Sequence, residues 1–225
     1  MMNILRVLRS KSMAQMNYDH MSGWYDWLAG SSEKPFRELG LDMLAIQPGE
    51  IVLEIGCGTG EALKIIAREV SRIGLAAGCD ISSGMLGLAL GKMEKVHDTL
   101  IPVLFQGDGE HLPLGAALFD VVFISFTLEL FDTSEIPGVL AECWRVLRPG
   151  GRIGVVALSR QPITWMVRLY ESLHRQFPAL LDCRPIYAAE LLKLGSFTIQ
   201  EAKEKQMWGL PVEMIVAKKG PINAT

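Results

Sequence analysis

Cysteine is scarce and scattered in this chain. Four occur in 225 residues (Cys57, Cys79, Cys143 and Cys183), and no CxxC pair or Cys/His cluster is among them. Such spacing argues against a zinc site, so no metal is expected. A chain this long has little need of a disulfide framework, and the thiols are expected to stay free in a reducing cytosol. Strong charge of either sign is missing as well. A net charge of −3 leaves no evident basic surface for phosphates and argues against a nucleic-acid partner. No uninterrupted apolar run approaches the ~20 residues that span a bilayer. The N-terminal "MMNILRVLRSKSMAQM" is broken by Arg6, Arg9 and Lys11 and does not form a secretory apolar core, which points to a cytoplasmic location. Internal repeats, low-complexity tracts and an interdomain linker are also absent.

What is present is ordinary globular composition: 49% apolar and 21% charged residues, enough for one sizeable core. The first residues form an exception. Met1, Ile4, Leu5 and Leu8 share one helical face, with Arg6 and Arg9 opposite. A basic amphipathic helix of this kind can lie on an anionic membrane, so residues 1–12 are a candidate peripheral contact with the inner face of a membrane. The chain divides into an N-terminal helical lid or amphipathic segment over 1–45 and one compact domain over 46–225.

Alternation of strand and helix signals fills most of that domain. "EIVLEI" reads as a buried strand ending at a glycine-rich turn. Thr59 is positioned to cap the helix "EALKIIAREV", where Leu63, Ile66, Ala67 and Val70 repeat at helical spacing. "GLAAGCD" is a second strand. Ser82 or Ser83 would cap "GMLGLALGKMEKV", with Met85, Leu86, Ala89 and Leu90 inward. "LIPVLFQGD" is a third strand ending in Asp108, and "FDVVFISF" a fourth ending near Ser125. Thr133 or Ser134 would cap the helix that Pro149-Gly150-Gly151 stops, before the fifth strand "RIGVVALS". "PITWMVRLYESLHRQFP" is amphipathic at helical period. A shorter helix ending at Gly195 precedes two terminal strands expected to pair antiparallel. The class is α/β: a doubly wound, mostly parallel, seven-stranded Rossmann-like sheet with an antiparallel C-terminal edge, in three α/β/α layers.

In such a sheet ligands sit beyond the carboxyl ends of the strands, where this sequence concentrates its marked residues. "LEIGCGTG" runs from Leu53 to Gly60, with an acid, Glu54, ahead of Gly56, Gly58 and Gly60. Bare glycines let a ligand press against backbone. A dinucleotide would need G-x-G-x-x-G, but Glu61 occupies the third fingerprint position. Glu54 would also repel a polyphosphate and attract an ammonium group. Asp80 lies 20 residues past Gly60 and is placed to accept ribose hydroxyls. Asp108, followed by Gly109, suits an exocyclic amine on a flat base. A ribose, an aminopurine and a cationic amino-acid end together describe S-adenosylmethionine.

At these residues the chain resembles the class I S-adenosylmethionine-dependent methyltransferases over roughly Tyr18 to Ser159. "LEIGCGTG", "GCDIS", "GDGEHLPL", "FDVVFISF" and "RVLRPGGRI" are similar to that family's successive motifs. "YDHMSGWYDWL", "GDGEHLPL" and "ISF" look closest to the ubiquinone/menaquinone biosynthesis methyltransferase branch. The resemblance implies Thr59, Asp80, Asp108, Gly109 and Ser125 as cofactor contacts beside Glu54, Gly56, Gly58 and Gly60. Cys57, Ile81 and Met85 belong to the same expected set. It also makes the aromatic stretch around Trp24 and Trp27 a lid, with Tyr18 facing the sulfonium. After Ser159 no family substrate residues align.

The implied reaction is in-line methyl transfer to a small, apolar acceptor of quinone, phenolic or lipid-head-group type. A carbon or oxygen acceptor would need a base; an amine or thiolate would not. Glu129, just past the fourth strand, and His20 are the catalytic candidates. His174 is a further possibility, whereas His111 and His97 read as structural and surface residues. Met166, Tyr170, Tyr187 and Trp208 are candidate lining of an acceptor pocket. An NAD-dependent oxidoreductase and a non-catalytic cofactor-binding module remain open alternatives, and the oligomeric state is not legible.

Overall fold

The computed structural model describes residues 15–16, 30–94, 101–163, 165–176 and 183–220. Helix α1 (Gly30–Leu44) leads into β1 (Ile51–Ile55), α2 (Glu61–Glu69), β2 (Leu75–Asp80), α3 (Ser83–Met93) and β3 (Val103–Gln106). Then come β4 (Phe119–Ser125), a 3-10 turn over Leu128–Leu130, α4 (Ile136–Val146) and β5 (Leu147–Leu158). Helices α5 (Trp165–Gln176) and α6 (Ala188–Leu194) precede β6 (Phe197–Met207) and β7 (Leu210–Lys219).

The seven strands form one sheet in the order β3-β2-β1-β4-β5-β7-β6. β1 to β5 pair in parallel, while β7 runs antiparallel to both β5 and β6. The outermost strand, β6, therefore points the same way as β5, and the reversed strand lies just inside the edge. Strand order changes direction between β1 and β4, which opens a crevice at their carboxyl ends. Alternation along the strands fills both faces. Val52, Val121, Phe123 and Val156 pack under α1 and α2, while Leu53, Val122, Ile124 and Val155 pack under α4 and α6. Burying a side chain such as Phe123 is worth about 1.5–3 kcal/mol.

Several local expectations need correcting. Thr59 does not cap α2: the N-cap is Gly60, in a left-handed conformation with φ 81, and carries no side-chain cap bond. Neither Thr133 nor Ser134 caps α4, whose N-cap is Glu135; the Ser134 hydroxyl instead donates to Asp132 at 2.7 Å. Leu90 is 45% exposed, and Met93 takes the inward place one turn on. Helix α4 ends at Val146, so the Pro149-Gly150 segment sits inside β5 as a register shift against β4. β3 closes at Gln106, with the Gly107 amide making the last bond to β2 at the Asp80 carbonyl (3.0 Å), and Asp108 falls in the loop. Ser82 does cap α3: its hydroxyl accepts from the Met85 amide at 3.1 Å.

At the amino end of the sheet, Arg152 on β5 ties α1 down. Its guanidinium donates to both Glu50 oxygens (2.7 and 2.8 Å) and to the Leu44 carbonyl (2.8 Å), the last carbonyl of α1. This arginine fork satisfies a helix-end acceptor and a carboxylate at once, which a lysine cannot do. Arg152→Lys is expected to lower stability by about 1.5–3 kcal/mol. Urea denaturation measures this, and an unchanged midpoint would show that the clasp contributes nothing.

Candidate functional site

The loop after β1 is shaped by its three glycines, for two different reasons. Gly56, Gly58 and Gly60 all have positive φ (70, 51 and 81). A Cβ on Gly56 would collide with the Thr127 side chain, and one on Gly60 would lie 2.7 Å from Met93 Cε on α3. At Gly58 nothing lies within 4 Å. Packing against protein therefore accounts for the outer two, while the middle one faces open space at the crevice.

Asp80, the last residue of β2, holds this loop. One carboxylate oxygen accepts from the Gly58 amide at 2.8 Å, the other from the Ser82 amide at 2.9 Å. Gly56 and Cys57 amides both donate to the Cys79 carbonyl (2.8 and 3.0 Å), and Gly60 closes the turn onto the Cys57 carbonyl (2.8 Å). The Asp80 carboxylate is thus fixed in orientation beside the open glycine, and a carboxylate has further lone pairs for a ligand.

Two buried carboxyl groups flank the crevice. Glu54 projects from β1 toward α1 and α2. Burial pushes its pKa well above the usual carboxylate range, opposed by Arg37 and reinforced by Asp80 and Glu61. The Leu63 amide donates to it, yet its Oε2 is buried with no hydrogen-bond partner. Glu129, in the 3-10 turn after β4, is fully buried. Its Oε1 accepts from the Leu158 amide at 3.2 Å, and its Oε2 has no partner. Burial raises its pKa to about 8, with Glu33 adding to the rise and Arg184 opposing it. Between these, Ser125 at the end of β4 presents a buried hydroxyl oxygen that also has no partner.

The remaining candidates separate. Asp108 accepts from the Glu110 amide at 3.0 Å within a tight turn. Gly109 is bare because Ile55 Cγ2 and Phe131 Cζ each lie 3.0 Å from where its Cβ would be. Thr59 is buried, and its hydroxyl accepts from Lys92 Nζ at 2.9 Å. Cys57 is turned into the core under α2, and burial pushes its thiol far up. Met85 is buried, and the Ile81 carbonyl accepts from Gln106 Nε2 at 3.0 Å. Tyr18 and His20 lie outside the described residues, as do Trp24, Trp27, His97 and residues 1–12. Met166 and Tyr170 pack on the α1/α2 side of the sheet with the exposed Trp208 in the turn beside Met166, whereas Tyr187 packs on the other side. His174 is buried and His111 exposed. Asp108, Glu110 and His111 bring potential ligand atoms within 4.8 Å of one another. The turn itself explains that proximity, since the His111 amide donates to the Asp108 carbonyl at 2.9 Å.

Some participants carry no sequence signal. Thr127 donates from its hydroxyl to the Ser125 carbonyl (2.9 Å) and approaches the Gly56 carbonyl (3.4 Å), clasping the β1 loop to the end of β4. Lys92 Nζ bonds Glu61 at 2.7 Å as well as Thr59. Arg37 on α1 supplies a positive charge that opposes the rise at Glu54. The only hint of Thr127 is its place directly after a strand-end "ISF". The assembled crevice offers oriented carboxylates and unpartnered oxygens beside exposed backbone, and so suits a ligand rich in N–H and O–H donors.

Comparison with known proteins agrees with this chemistry. Residues 52–151 match a family described as "Methyltransferase domain". The demethylmenaquinone methyltransferase of Lactobacillus johnsonii is 31% identical over 163 residues, covering 72% of this chain and 64% of that protein. That of Symbiobacterium thermophilum is 30% identical over 183 residues, covering 81% of this chain and 70% of that protein. The chain thus spans a little under two thirds of the length of the first of these relatives. The crystal structure of the [4+2]-cyclase SpnF superposes with a TM-score of 0.73 at 16% identity, covering 94% of this chain and 97% of that one. That likeness speaks for the architecture and not for the reaction.

Ionisation of Glu129 gives the site a testable signature. A carboxyl whose folded pKa is raised contributes most to stability below its unfolded value of 4.5, and that contribution is lost as pH rises toward about 8. Glu129→Gln cannot ionise, so it should abolish this part of the decline. Thermal melts of both proteins from pH 5 to pH 8.5 measure it; parallel curves would contradict the buried, protonated carboxyl.

Proposed function

Because this chain belongs to the S-adenosylmethionine-dependent methyltransferases, we propose that it transfers a methyl group to a small apolar acceptor of quinone or phenolic type. The observation that carries the reading is the Asp80 carboxylate, held by the Gly58 and Ser82 amides beside an open, left-handed glycine. The names of the two bacterial relatives support the acceptor class.

The residues present fit the cofactor. Asp80 would accept the ribose hydroxyls with its remaining lone pairs. Glu54 has a buried oxygen with no partner, suited to an ammonium donor. Asp108 at the tip beyond β3 would take the adenine amine, and Gly58 lets the ligand approach backbone. When bound, S-adenosylmethionine supplies an electrophilic methyl group. The aromatic stretch around Trp24 and Trp27 would form the lid that excludes water from it. Glu129 would accept the proton of an acceptor hydroxyl or acidic C–H through its unpartnered Oε2. With a pKa near 8 it would be mostly protonated at neutral pH, so the rate should climb with pH through about 8.

Calorimetry with S-adenosylmethionine tests the cofactor site. Asp80→Ala removes charge-assisted hydrogen bonds worth about 1.5–3 kcal/mol, a loss of roughly 10–150-fold in affinity. Equal affinity in the variant would remove Asp80 from the site. Incubation with methyl-labelled cofactor and a panel of quinols and phenols, read by mass spectrometry, tests the acceptor; label only on amines or thiols would overturn the acceptor class.

A further inference from the structure

We propose that helix α5 and the β6–β7 turn form a docking face for the surface of an anionic lipid bilayer, on the same edge of the molecule as the cofactor crevice. Helix α5 carries two apolar stripes. Val167 is buried against the sheet, but Trp165, Leu169 and Leu173 follow one another at four-residue spacing on its outer side. Trp165 is 71% exposed and Leu169 46%. The β6–β7 turn adds Trp208, 72% exposed, and packs on α5: a Cβ on the neighbouring Gly209 would lie 3.4 Å from Met166 Cε. Two outward tryptophans beside a leucine ridge are an unusual surface for a water-soluble fold. Indole rings favour the boundary between head groups and acyl chains, where one edge is wet and the other apolar.

Charge selects this occupant over another protein surface. Arg168 flanks the ridge on α5 and is exposed. Lys203 and Lys205 pair with Met214 and Val212, residues of the α1/α2 core, and so stand on the α5 side of the sheet. The neighbouring acid on that strand face, Glu201, pairs with Lys203 at 2.9 Å and the two cancel, which leaves Arg168 and Lys205 as the net positive charge beside the ridge. An apolar ridge bordered by cations matches a bilayer with anionic head groups. Topology sets the direction. β6 runs parallel to β5, and Lys205 stands level with Leu158 through the shared partner Val212, so Trp208, further along the chain, lies at the carboxyl edge. Docking there would turn the site toward an acceptor dissolved in the membrane. The inference rests on exposed side chains and not on methyl transfer, so vesicle binding by a protein that fails to bind S-adenosylmethionine would leave it standing.

Flotation of the full chain with phosphatidylcholine vesicles, with and without phosphatidylglycerol, tests it. The protein should float with the anionic vesicles, less so as salt rises from ~0.05 to ~0.5 M. Combined Trp165→Gln, Leu169→Gln and Trp208→Gln should lower the bound fraction at least about tenfold. Lys203→Glu with Lys205→Glu, at exposed edge positions, should weaken binding to anionic vesicles alone and serves as an independent arm if the triple variant folds poorly. Absence of flotation, or equal flotation by both variants, overturns the proposal. So does loss of binding only on removal of residues 1–12, which would transfer the contact to that segment. A wild-type dimer that the triple substitution makes monomeric, without vesicle binding by either, would make the face a contact between copies of this chain.

Discussion

Everything at the crevice depends on one carboxylate. Asp80 ends β2 and accepts amides from two directions, Gly58 in the loop after β1 and Ser82 at the start of α3. Those bonds fix the glycine loop in a left-handed path that side-chain-bearing residues rarely adopt. They also orient the carboxylate itself, so a ligand would meet a group already in place. Around this point Thr127 ties the loop to the end of β4, and Lys92 ties its far side to α3 through Thr59 and Glu61. The loop is held from three sides: by β2, by the segment just after β4 and by α3.

Burial gives the neighbouring acids their character. Glu54 and Glu129 stand in apolar surroundings with one oxygen each left without a partner. Removing a carboxylate from water is costly unless it is paired, so both groups are pushed toward their neutral forms. A ligand that brings a cation or a hydrogen-bond donor relieves that cost. The apolar core on both faces of the sheet, clasped at its amino end by Arg152, holds these strained positions where they are.

The sequence made legible whatever local pattern and strand ends determine. The parallel core, the terminal antiparallel pairing, Asp80 at a strand end and Ser82 as a cap all follow from short-range signals. Partners distant in the chain did not. Thr59 looked like a cap, but a lysine 33 residues away uses its hydroxyl. Thr127 reaches Gly56 across 71 residues, and the charge of Arg37 acts on Glu54 of β1 from helix α1. Gly109 suggests room for a base, and the close approach of Phe131 and Ile55, from elsewhere in the chain, is a second reason for its missing side chain that local pattern does not carry. Leu90 fitted a helical period, but α3 covers only part of the sheet and leaves that side in water.

A crystal structure of the complex with S-adenosylhomocysteine would show whether Asp80 holds the ligand. The ribose hydroxyls are expected on Asp80, with the Gly58 and Ser82 amides still bound to that carboxylate and the ligand lying along Gly58. A ligand seated elsewhere, or an Asp80 side chain that touches only those two amides, would contradict it.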